Sequence, residues 1–273
     1  MKALILGGGG ITGIAWELGL LAGLHRLGAG LGDADLIIGT SAGSYVGALL
    51  ATGADLDLAS ARANEIEVEL APRIDPALLA EGFALLGDDS LEPIEKRRRL
   101  GGLAVRAPLG PDEPHVERFA LTLPEHTWPT TPRLVITAID TGTGELTAWD
   151  AADGVPLPAA VAASCALPGV FPPVRVNGSR YMDGGVRSVT NVDLAAGADS
   201  VLVIAPTSNM FRATPAEELA RLAAPRSLLI APDDASRTAI GGNILDASRR
   251  GPALAAGIAQ AAAVAVAIKE IWA

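Results

Sequence analysis

Ser41 has the sequence context of a nucleophilic serine. It lies in Gly39-Thr40-Ser41-Ala42-Gly43, between the short apolar run 36–38 and a run rich in Ala, Leu and Val, 44–52. A serine in a sharp strand-to-helix turn holds its hydroxyl clear of the sheet, and the close approach of strand and helix requires small neighbours. Because the chain has 31 glycines, the pentapeptide alone is weak evidence. The strand before it and the helix after it make the pattern specific.

A serine hydroxyl is a weak nucleophile and needs a base within hydrogen-bond reach. The usual base is histidine, and the chain has three: His25, His115 and His126. In α/β-hydrolases the order is serine, then an acid, then a late histidine. Since no histidine follows residue 126, that triad is not available in its normal form. We therefore expect none of the three histidines to act in the chemistry.

Asp183 is the better candidate for the base. It follows a predicted strand and precedes Gly184 and Gly185, where the backbone can pass close to a neighbouring loop. A free aspartate has a pKa of about 3.9, which is low for a base near neutrality. Partial burial beside Ser41 would raise that pKa. The alternative is a turn aspartate that caps the two glycines.

A glycine-rich loop at residues 7–13 could stabilise an oxyanion. Gly8-x-Gly10-x-x-Gly13 lies between a predicted strand, 3–6, and a predicted helix, 14–27. We expect backbone N–H groups of this loop to point at a developing negative charge, an effect strengthened by the helix N-terminus.

The same glycine pattern matches a dinucleotide fingerprint, which is the competing interpretation. That fingerprint requires an acidic residue about 20 positions on, at the end of the second strand. Asp33 and Asp35 have roughly that spacing, but they precede the second strand. The sequence therefore favours the oxyanion interpretation.

The elements that position these residues follow a strand–helix alternation. In a parallel sheet, the glycine loop and the serine turn both lie at the carboxyl ends of strands, where α/β proteins bind ligands. We predict one domain over residues 1–273, with a helical cap at about 55–123 that is broken by prolines. The predicted cap helices are 58–70, 76–86 and 91–100. The later predicted strands are 133–139, 145–149, 174–176, 180–182, 201–204 and 228–230, and the later predicted helices are 158–166, 215–223 and 253–268.

The charge balance of the sequence restricts the classes of binding partner that we expect. The formal net charge is −10, which argues against nucleic acid as the main partner. The only basic run, Glu95-Lys96-Arg97-Arg98-Arg99, is typical of a solvated helix face; the alternative is a peripheral contact with membrane head groups.

The apolar run 253–268 is Ala-rich and interrupted by Gly257 and Gln260, so we predict a buried helix. With the lone Cys165 no intramolecular disulfide can form, and we expect a cytoplasmic protein.

Together, these motifs resemble the patatin-like phospholipase family. The resemblance covers about residues 2–203 and rests on three motifs in the family's order: Gly8-Gly9-Gly10-Ile11-Thr12-Gly13, Gly39-Thr40-Ser41-Ala42-Gly43 and Asp183-Gly184-Gly185. It is reinforced by Ala163-Ser164-Cys165-Ala166-Leu167-Pro168, which is similar to a stretch that precedes the family's Asp-Gly-Gly. Several motifs in order are far more specific than any one of them.

The resemblance implies an α/β fold: a three-layer α/β/α sandwich with a central, mostly parallel sheet. It implies a Ser41–Asp183 dyad that acts on a lipid or acyl ester through an acyl-enzyme, without histidine, metal or cofactor. It also implies that the glycine loop, chiefly Gly8, Gly9 and Gly10, holds the oxyanion. The family usually has Arg or Lys where this chain has Thr12. That difference concerns the support of the glycine loop or a preference for anionic head groups, and it removes no backbone donor.

Three functions remain open from the sequence. The first is a lipid acyl hydrolase, of the phospholipase A or carboxylic ester hydrolase type. The second is a thioesterase or acyltransferase that uses the same dyad on a soluble acyl donor. The third is a non-catalytic lipid-binding protein of the same fold, which the intact Ser41 and Asp183 disfavour. The acyl chain, the head group and the oligomeric state are left open.

Overall fold

The computed structural model describes residues 1–59, 76–208 and 213–272, and in these residues an eight-stranded sheet is flanked by helices. The strands are β1 (Lys2–Leu6), β2 (Leu36–Gly39), β3 (Arg133–Asp140), β4 (Leu146–Trp149), β5 (Val174–Val176), β6 (Ser179–Asp183), β7 (Ser200–Ile204) and β8 (Arg226–Ile230). The helices are α1 (Gly10–Arg26), α2 (Ala42–Ala51), α3 (Pro76–Gly87), α4 (Pro93–Arg106), α5 (Glu113–Thr122), α6 (Leu157–Ser164), α7 (Pro215–Leu222), α8 (Asp234–Ile240) and α9 (Arg250–Trp272).

The sheet is mostly parallel, as predicted. Its order is β5-β6-β3-β2-β1-β7-β8, and β4 pairs with β3. The five strands from β3 to β8 in this order are parallel, whereas the pairs β3–β4, β3–β6 and β5–β6 are antiparallel. The two antiparallel pairs that adjoin in sequence, β3–β4 and β5–β6, are the predicted hairpins. The carboxyl ends of β1 and β2 therefore lie side by side.

Alternation along the central strands divides the core into two layers, which confirms the predicted three-layer sandwich. In β1, Leu4 and Leu6 pack into a large cluster with α1, α2, α6 and α9. Ala3 and Ile5 face the opposite side, where they pack with the 3₁₀ turn Val192–Ala195 and with α7. Because successive side chains of a strand point to opposite faces, a nearly continuous apolar strand is buried on both sides.

The described part of the predicted cap is helical. Residues 76–87, 93–106 and 113–122 form α3, α4 and α5, and no strand occurs among the described residues of 55–123. The predicted helix 58–70 lies outside the described residues except for its first two positions. Leu100 of α4 packs on Ile139, Met182 and Val186, next to the end of β6. The cap thus covers the sheet edge where β6 ends.

Two predicted helices differ from the structure. α1 begins at Gly10, four residues before the predicted start, so Gly10 and Gly13 belong to the helix and not to the loop before it. The prediction of a buried C-terminal helix is wrong, because α9 buries one face against α1 and exposes the other. By length and mean hydropathy, 1.8, the stretch Ala247–Trp272 could cross a membrane, and 33% of its most apolar window is buried in the fold.

Candidate active site

Ser41 lies in a strained turn between β2 and α2. Its backbone has φ 53° and ψ −119°, a conformation that is costly for a residue with a Cβ and that clusters at functional sites. A Cβ on Gly39 would lie 2.5 Å from Ser44 Cα, and one on Gly43 would lie 2.0 Å from the Leu6 carbonyl oxygen. The predicted need for small neighbours is confirmed, because any larger residue at these two positions would force strand and helix apart.

The structure brings Ser41 and Asp183 together across 142 residues of chain. Ser41 Oγ donates a hydrogen bond of 2.7 Å to Asp183 Oδ2. Asp183 Oδ1 accepts a second bond, also of 2.7 Å, from the Gly185 N–H. The pairing of Asp183 with Ala138 of β3 explains this position, since β3 continues past the end of β2, where Ser41 lies. One carboxylate oxygen is thus fixed by the backbone and the other faces the hydroxyl.

Burial controls the charge of this aspartate. The Asp183 side chain is only 4% exposed, and its desolvation raises the pKa of the carboxyl to about 6, against the lowering effect of the bonds from Ser41 and Gly185. The carboxylate therefore predominates near neutral pH and is a stronger proton acceptor than a free aspartate. This is the arrangement that a general base for a serine requires.

The histidines lie apart from this pair, and none hydrogen-bonds to it. The His115 ring is buried, its Nε2 bonds to the Ala162 carbonyl oxygen at 3.0 Å, and burial lowers its pKa to about 4. A ring nitrogen of exposed His126 bonds to the Ala120 carbonyl at 2.7 Å. His25 is exposed on α1. His115 is thus neutral near pH 7, with a fixed structural partner.

The glycine loop differs in one respect from the prediction. The Gly8 N–H donates to the Val189 carbonyl oxygen at 2.8 Å, so Gly8 is not a free donor. Within the described residues, the N–H groups of Gly9 and Gly10 make no hydrogen bond. Both glycines line the same cavity as Ser41, and Gly10 starts α1, where backbone N–H groups lack intrahelical partners. The two available donors are therefore Gly9 and Gly10.

Close packing fixes the path of this loop. A Cβ on Gly9 would lie 2.6 Å from Pro206 Cβ, and a Cβ on Gly13 would lie 3.2 Å from the same atom. The Gly13 N–H donates to the Gly9 carbonyl, and Thr207 Oγ1 donates to the Gly8 carbonyl at 2.6 Å. Because these hydrogen bonds fix the Gly8 and Gly9 carbonyls, they also fix the N–H groups of Gly9 and Gly10, which belong to the same peptide planes.

Two residues that the sequence did not identify as functional hold the serine turn from below. Ser164 Oγ accepts a hydrogen bond from the Ser41 N–H at 2.9 Å, and Cys165 Sγ donates to the Ser41 carbonyl at 3.2 Å. Burial raises the pKa of the Cys165 thiol above its ordinary value, so it remains protonated and can donate. The Ala163–Pro168 stretch reinforced the resemblance to the family. Its contact with the serine turn is formed only by the tertiary fold, so the sequence did not reveal it.

Asn191 links the serine turn to the turn that carries Asp183, and the sequence analysis did not identify it. Its Nδ2 donates to Thr40 Oγ1 at 3.1 Å and to the Ser188 carbonyl at 2.8 Å, with a longer contact of 3.4 Å to the Gly184 carbonyl. The side chain is fully buried, and the backbone is left-handed with φ 48°. Asn191 therefore couples the position of the serine turn to that of the Asp183–Gly185 turn.

Ser41 and Asp183 open onto a cavity of about 930 Å³. Its lining is mostly apolar and comes from α1, α3, α4 and α5, among others. Representative lining residues are Ile14, Leu18, Phe83, Leu86, Leu103 and Phe119. A cavity of this size and polarity suits a hydrocarbon chain next to a reactive polar group. No group of His, Cys, Asp and Glu that could hold a metal ion occurs in the described residues.

The fold and the site define a class: an α/β protein with a serine in a sharp strand-to-helix turn, an aspartate hydrogen-bonded to that serine and an apolar cavity at the carboxyl edge of the sheet. Within that class, the family model for patatin-like phospholipase matches residues 4–196. The chain belongs to the patatin-like phospholipase family, a family of lipid acyl hydrolases. The resemblance found in the sequence is confirmed.

Solved structures similar to this chain include VipD and ExoU. VipD from Legionella pneumophila is 14% identical with a TM-score of 0.52, and the alignment covers 97% of this chain and 67% of that chain. The type III effector protein ExoU is 17% identical with a TM-score of 0.49, over 98% of this chain and 53% of its own. At these identities the likeness to VipD concerns the fold alone. No match was found among curated proteins.

The departure at Thr12 has a structural consequence. Thr12 is fully buried, its N–H donates to the Ile244 carbonyl at 3.1 Å, and its Oγ1 contacts the same oxygen at 3.4 Å. The position therefore ties the first turn of α1 to the segment before α9. It places no charge beside the glycine loop.

Proposed function

We propose that this protein is a lipid acyl hydrolase that works through a Ser41–Asp183 dyad and an acyl-enzyme. The observation that carries the proposal is the 2.7 Å hydrogen bond from Ser41 Oγ to the buried Asp183 Oδ2, at the wall of the apolar cavity. Family membership supports the reaction class. The site supplies a nucleophile, a base and a binding cavity within one connected volume.

In the proposed first step, Ser41 Oγ attacks the ester carbonyl carbon while its proton passes to Asp183 Oδ2. The negative charge on the carbonyl oxygen is stabilised by the N–H groups of Gly9 and Gly10. Collapse of this intermediate expels the alcohol, which takes the proton back from Asp183. The acyl group stays on Ser41 as an ester.

In the second step, water attacks the acyl-enzyme. Asp183 accepts a proton from the water, the Ser41 oxygen leaves, and the proton returns to that oxygen. The products are a carboxylic acid and the regenerated enzyme. The apolar lining of the cavity holds the acyl chain through both steps and keeps bulk water away from that chain.

Contact with a lipid surface belongs to the same proposal. Leu121 is 75% exposed and Phe83 is 47% exposed, and both line the cavity. Large apolar side chains on an exposed rim are suited to partial insertion among lipid chains. Such a contact would deliver an acyl chain to the cavity without its passing through water.

The test is hydrolysis of a short-chain p-nitrophenyl ester and of mixed phospholipid vesicles by the purified protein. Ser41→Ala and Asp183→Asn should each lower turnover by roughly a thousandfold or more. Ser90→Ala and Asp89→Asn are matched controls, because both residues are exposed on the α3–α4 connection. Turnover by Ser41→Ala at the wild-type rate would overturn the proposal, as would an inactive wild type.

An acyl-CoA thioester assayed in the same series separates the alternatives. Preferred turnover of the thioester, or transfer of the acyl group to an added alcohol instead of water, would favour the thioesterase or acyltransferase function. Chain binding without turnover of any ester or thioester would favour the non-catalytic lipid-binding function.

A further inference from the structure

Two arginines on the wall of the cavity lack an anionic partner. Four arginines of the described chain are half-buried: Arg97, Arg118, Arg187 and Arg250. Arg97 donates to the Gly144 carbonyl at 2.6 Å, and Arg187 pairs with Asp193 at 2.7 Å. Arg118 of α5 and Arg250, the first residue of α9, make no ion pair and no side-chain hydrogen bond to any other described residue. Both line the cavity that contains Ser41.

The pair is electrostatically unfavourable without an anion. Burial lowers the pKa of Arg118, and the neighbouring charge of Arg250 lowers it further. Burial likewise lowers the pKa of Arg250. Partly desolvated like charges that approach each other cost free energy unless a negative group neutralises them. Each guanidinium also keeps its full set of donors available, in a fork that matches carboxylate or phosphate oxygens.

Arg118 lies near residues that surround the Ser41 turn. Its guanidinium carbon lies 5.1 Å from the ring centroid of Phe171, another cavity residue. Its charge also reaches Cys165, whose thiol donates to the Ser41 carbonyl, because it lowers the pKa of that thiol. The two arginines and the dyad therefore line one cavity.

The carboxylates on the cavity do not neutralise the pair. Among the described residues that line it, these are Asp183 and Glu117. Asp183 is occupied by Ser41 and Gly185. Glu117 is exposed, and it forms no ion pair with either arginine. Next to the apolar lining, the cavity thus offers one concentrated positive site.

We propose that Arg118 and Arg250 form a subsite for a phosphate group of the substrate, so that the enzyme prefers acyl esters with an anionic phosphate head group over neutral esters. This inference rests on the proposed function and names the substrate class for it. The acyl chain would occupy the apolar lining while the phosphate oxygens accept hydrogen bonds from the two guanidinium groups. Both residues act in specificity and take no part in proton transfer.

Binding to the Ser41→Ala protein tests this inference without turnover. Isothermal titration calorimetry would compare decyl phosphate, decanol and inorganic phosphate. The two decyl compounds would be kept below the concentrations at which they aggregate. Decyl phosphate should bind most tightly. Arg118→Gln and Arg250→Gln should each weaken it by roughly ten- to a hundredfold, the usual effect of losing hydrogen bonds between charged groups. The same substitutions should weaken decanol binding much less.

Two further variants sharpen the comparison. Arg99→Gln removes a positive charge from an exposed, Glu95-paired position on α4 and should leave decyl phosphate binding unchanged. Arg118→Lys keeps the charge but loses the planar fork, so binding should recover in part. Circular dichroism and thermal unfolding would establish that Arg118→Gln is folded, since Arg118 also contacts Phe171.

Equal affinity for decyl phosphate and decanol would overturn the inference, and so would failure of all three compounds to bind. Inorganic phosphate that binds as tightly as decyl phosphate would assign the pair to a free anion and not to a lipid head group. With Ser41 intact, either glutamine substitution should lower kcat/KM for a phosphate-bearing ester at least about tenfold more than it lowers kcat/KM for a neutral ester of the same acyl chain. Equal losses on both esters would also refute it. An inactive wild type that still binds decyl phosphate through these arginines would defeat the proposed function alone.

Discussion

Replacing Asp183 with asparagine should abolish activity and stabilise the fold near neutral pH. An amide has nearly the shape of the carboxylate and can still accept the Gly185 N–H bond through its oxygen. It cannot accept the proton of Ser41, and it carries no charge that must be buried. The effects on turnover and stability therefore have opposite signs, as expected where a site is strained for function.

The size of the stabilisation follows from the pKa. Burial raises the pKa of Asp183 from 3.8 to about 6. The shift of about two units corresponds to about 3 kcal/mol of free energy, since one unit is about 1.4 kcal/mol. A raised carboxyl pKa means that the native state binds more protons than the unfolded state between these values. Its contribution to stability is fully present below the unfolded pKa and is lost as the pH rises through about 6.

The assay is urea unfolding of the wild type and of Asp183→Asn at about pH 7.5 and pH 4.5. The variant should gain roughly 2 kcal/mol more, relative to the wild type, at the higher pH than at the lower. Other titrating groups are common to both proteins and cancel in this difference. A gain that does not change with pH, or a loss that is larger at pH 7.5, would refute the account of a desolvated carboxylate.

The remaining expectations concern pH, the histidines and the glycine loop. For a short-chain ester, kcat/KM should rise with pH through about 6 and then level off, because the buried carboxyl must be ionised to accept the proton; a profile flat from about pH 5 to 8 would exclude this base. Replacing His25, His115 and His126 together with glutamine should keep turnover within a few-fold once folding is verified, whereas loss of a triad histidine costs on the order of 10⁴. Gly9→Ala should lower both the unfolding temperature and turnover, since its Cβ would lie 2.6 Å from a proline carbon. Gly8→Ala should unfold at a similar temperature to the wild type, because its nearest neighbour is 3.4 Å away.

Patterns of local origin made most of the fold predictable. The apolar strands that end in glycine-rich turns, and the hairpin at Asn177-Gly178, follow from backbone preferences that act over a few residues. The start of α1 was misplaced because its first residue is a glycine that follows three others, so no capping side chain marks it. The exposed face of α9 was missed because an alanine-rich helix has nearly the same composition on both sides.

Contacts distant in sequence decided the rest of the site. Ser41 and Asp183 could be paired from their motifs. The hydrogen bond that occupies the Gly8 N–H could not be predicted, because its acceptor is the carbonyl of Val189, 181 positions away. Asn191, Arg118 and Arg250 lie in no recognisable sequence pattern, and their surroundings are formed only where separate segments of the chain meet. Residues that position or neutralise others are set by the fold as a whole, and single-sequence reasoning does not reach them.

Mass spectrometry after reaction with a fluorophosphonate tests the central claim most directly. The account expects one covalent adduct per chain, on the peptide that contains Ser41. The adduct should be absent in Ser41→Ala and should form at least a hundredfold more slowly in Asp183→Asn, since the base that activates the hydroxyl is gone. An adduct on another residue, or labelling of Asp183→Asn at the wild-type rate, would contradict the dyad.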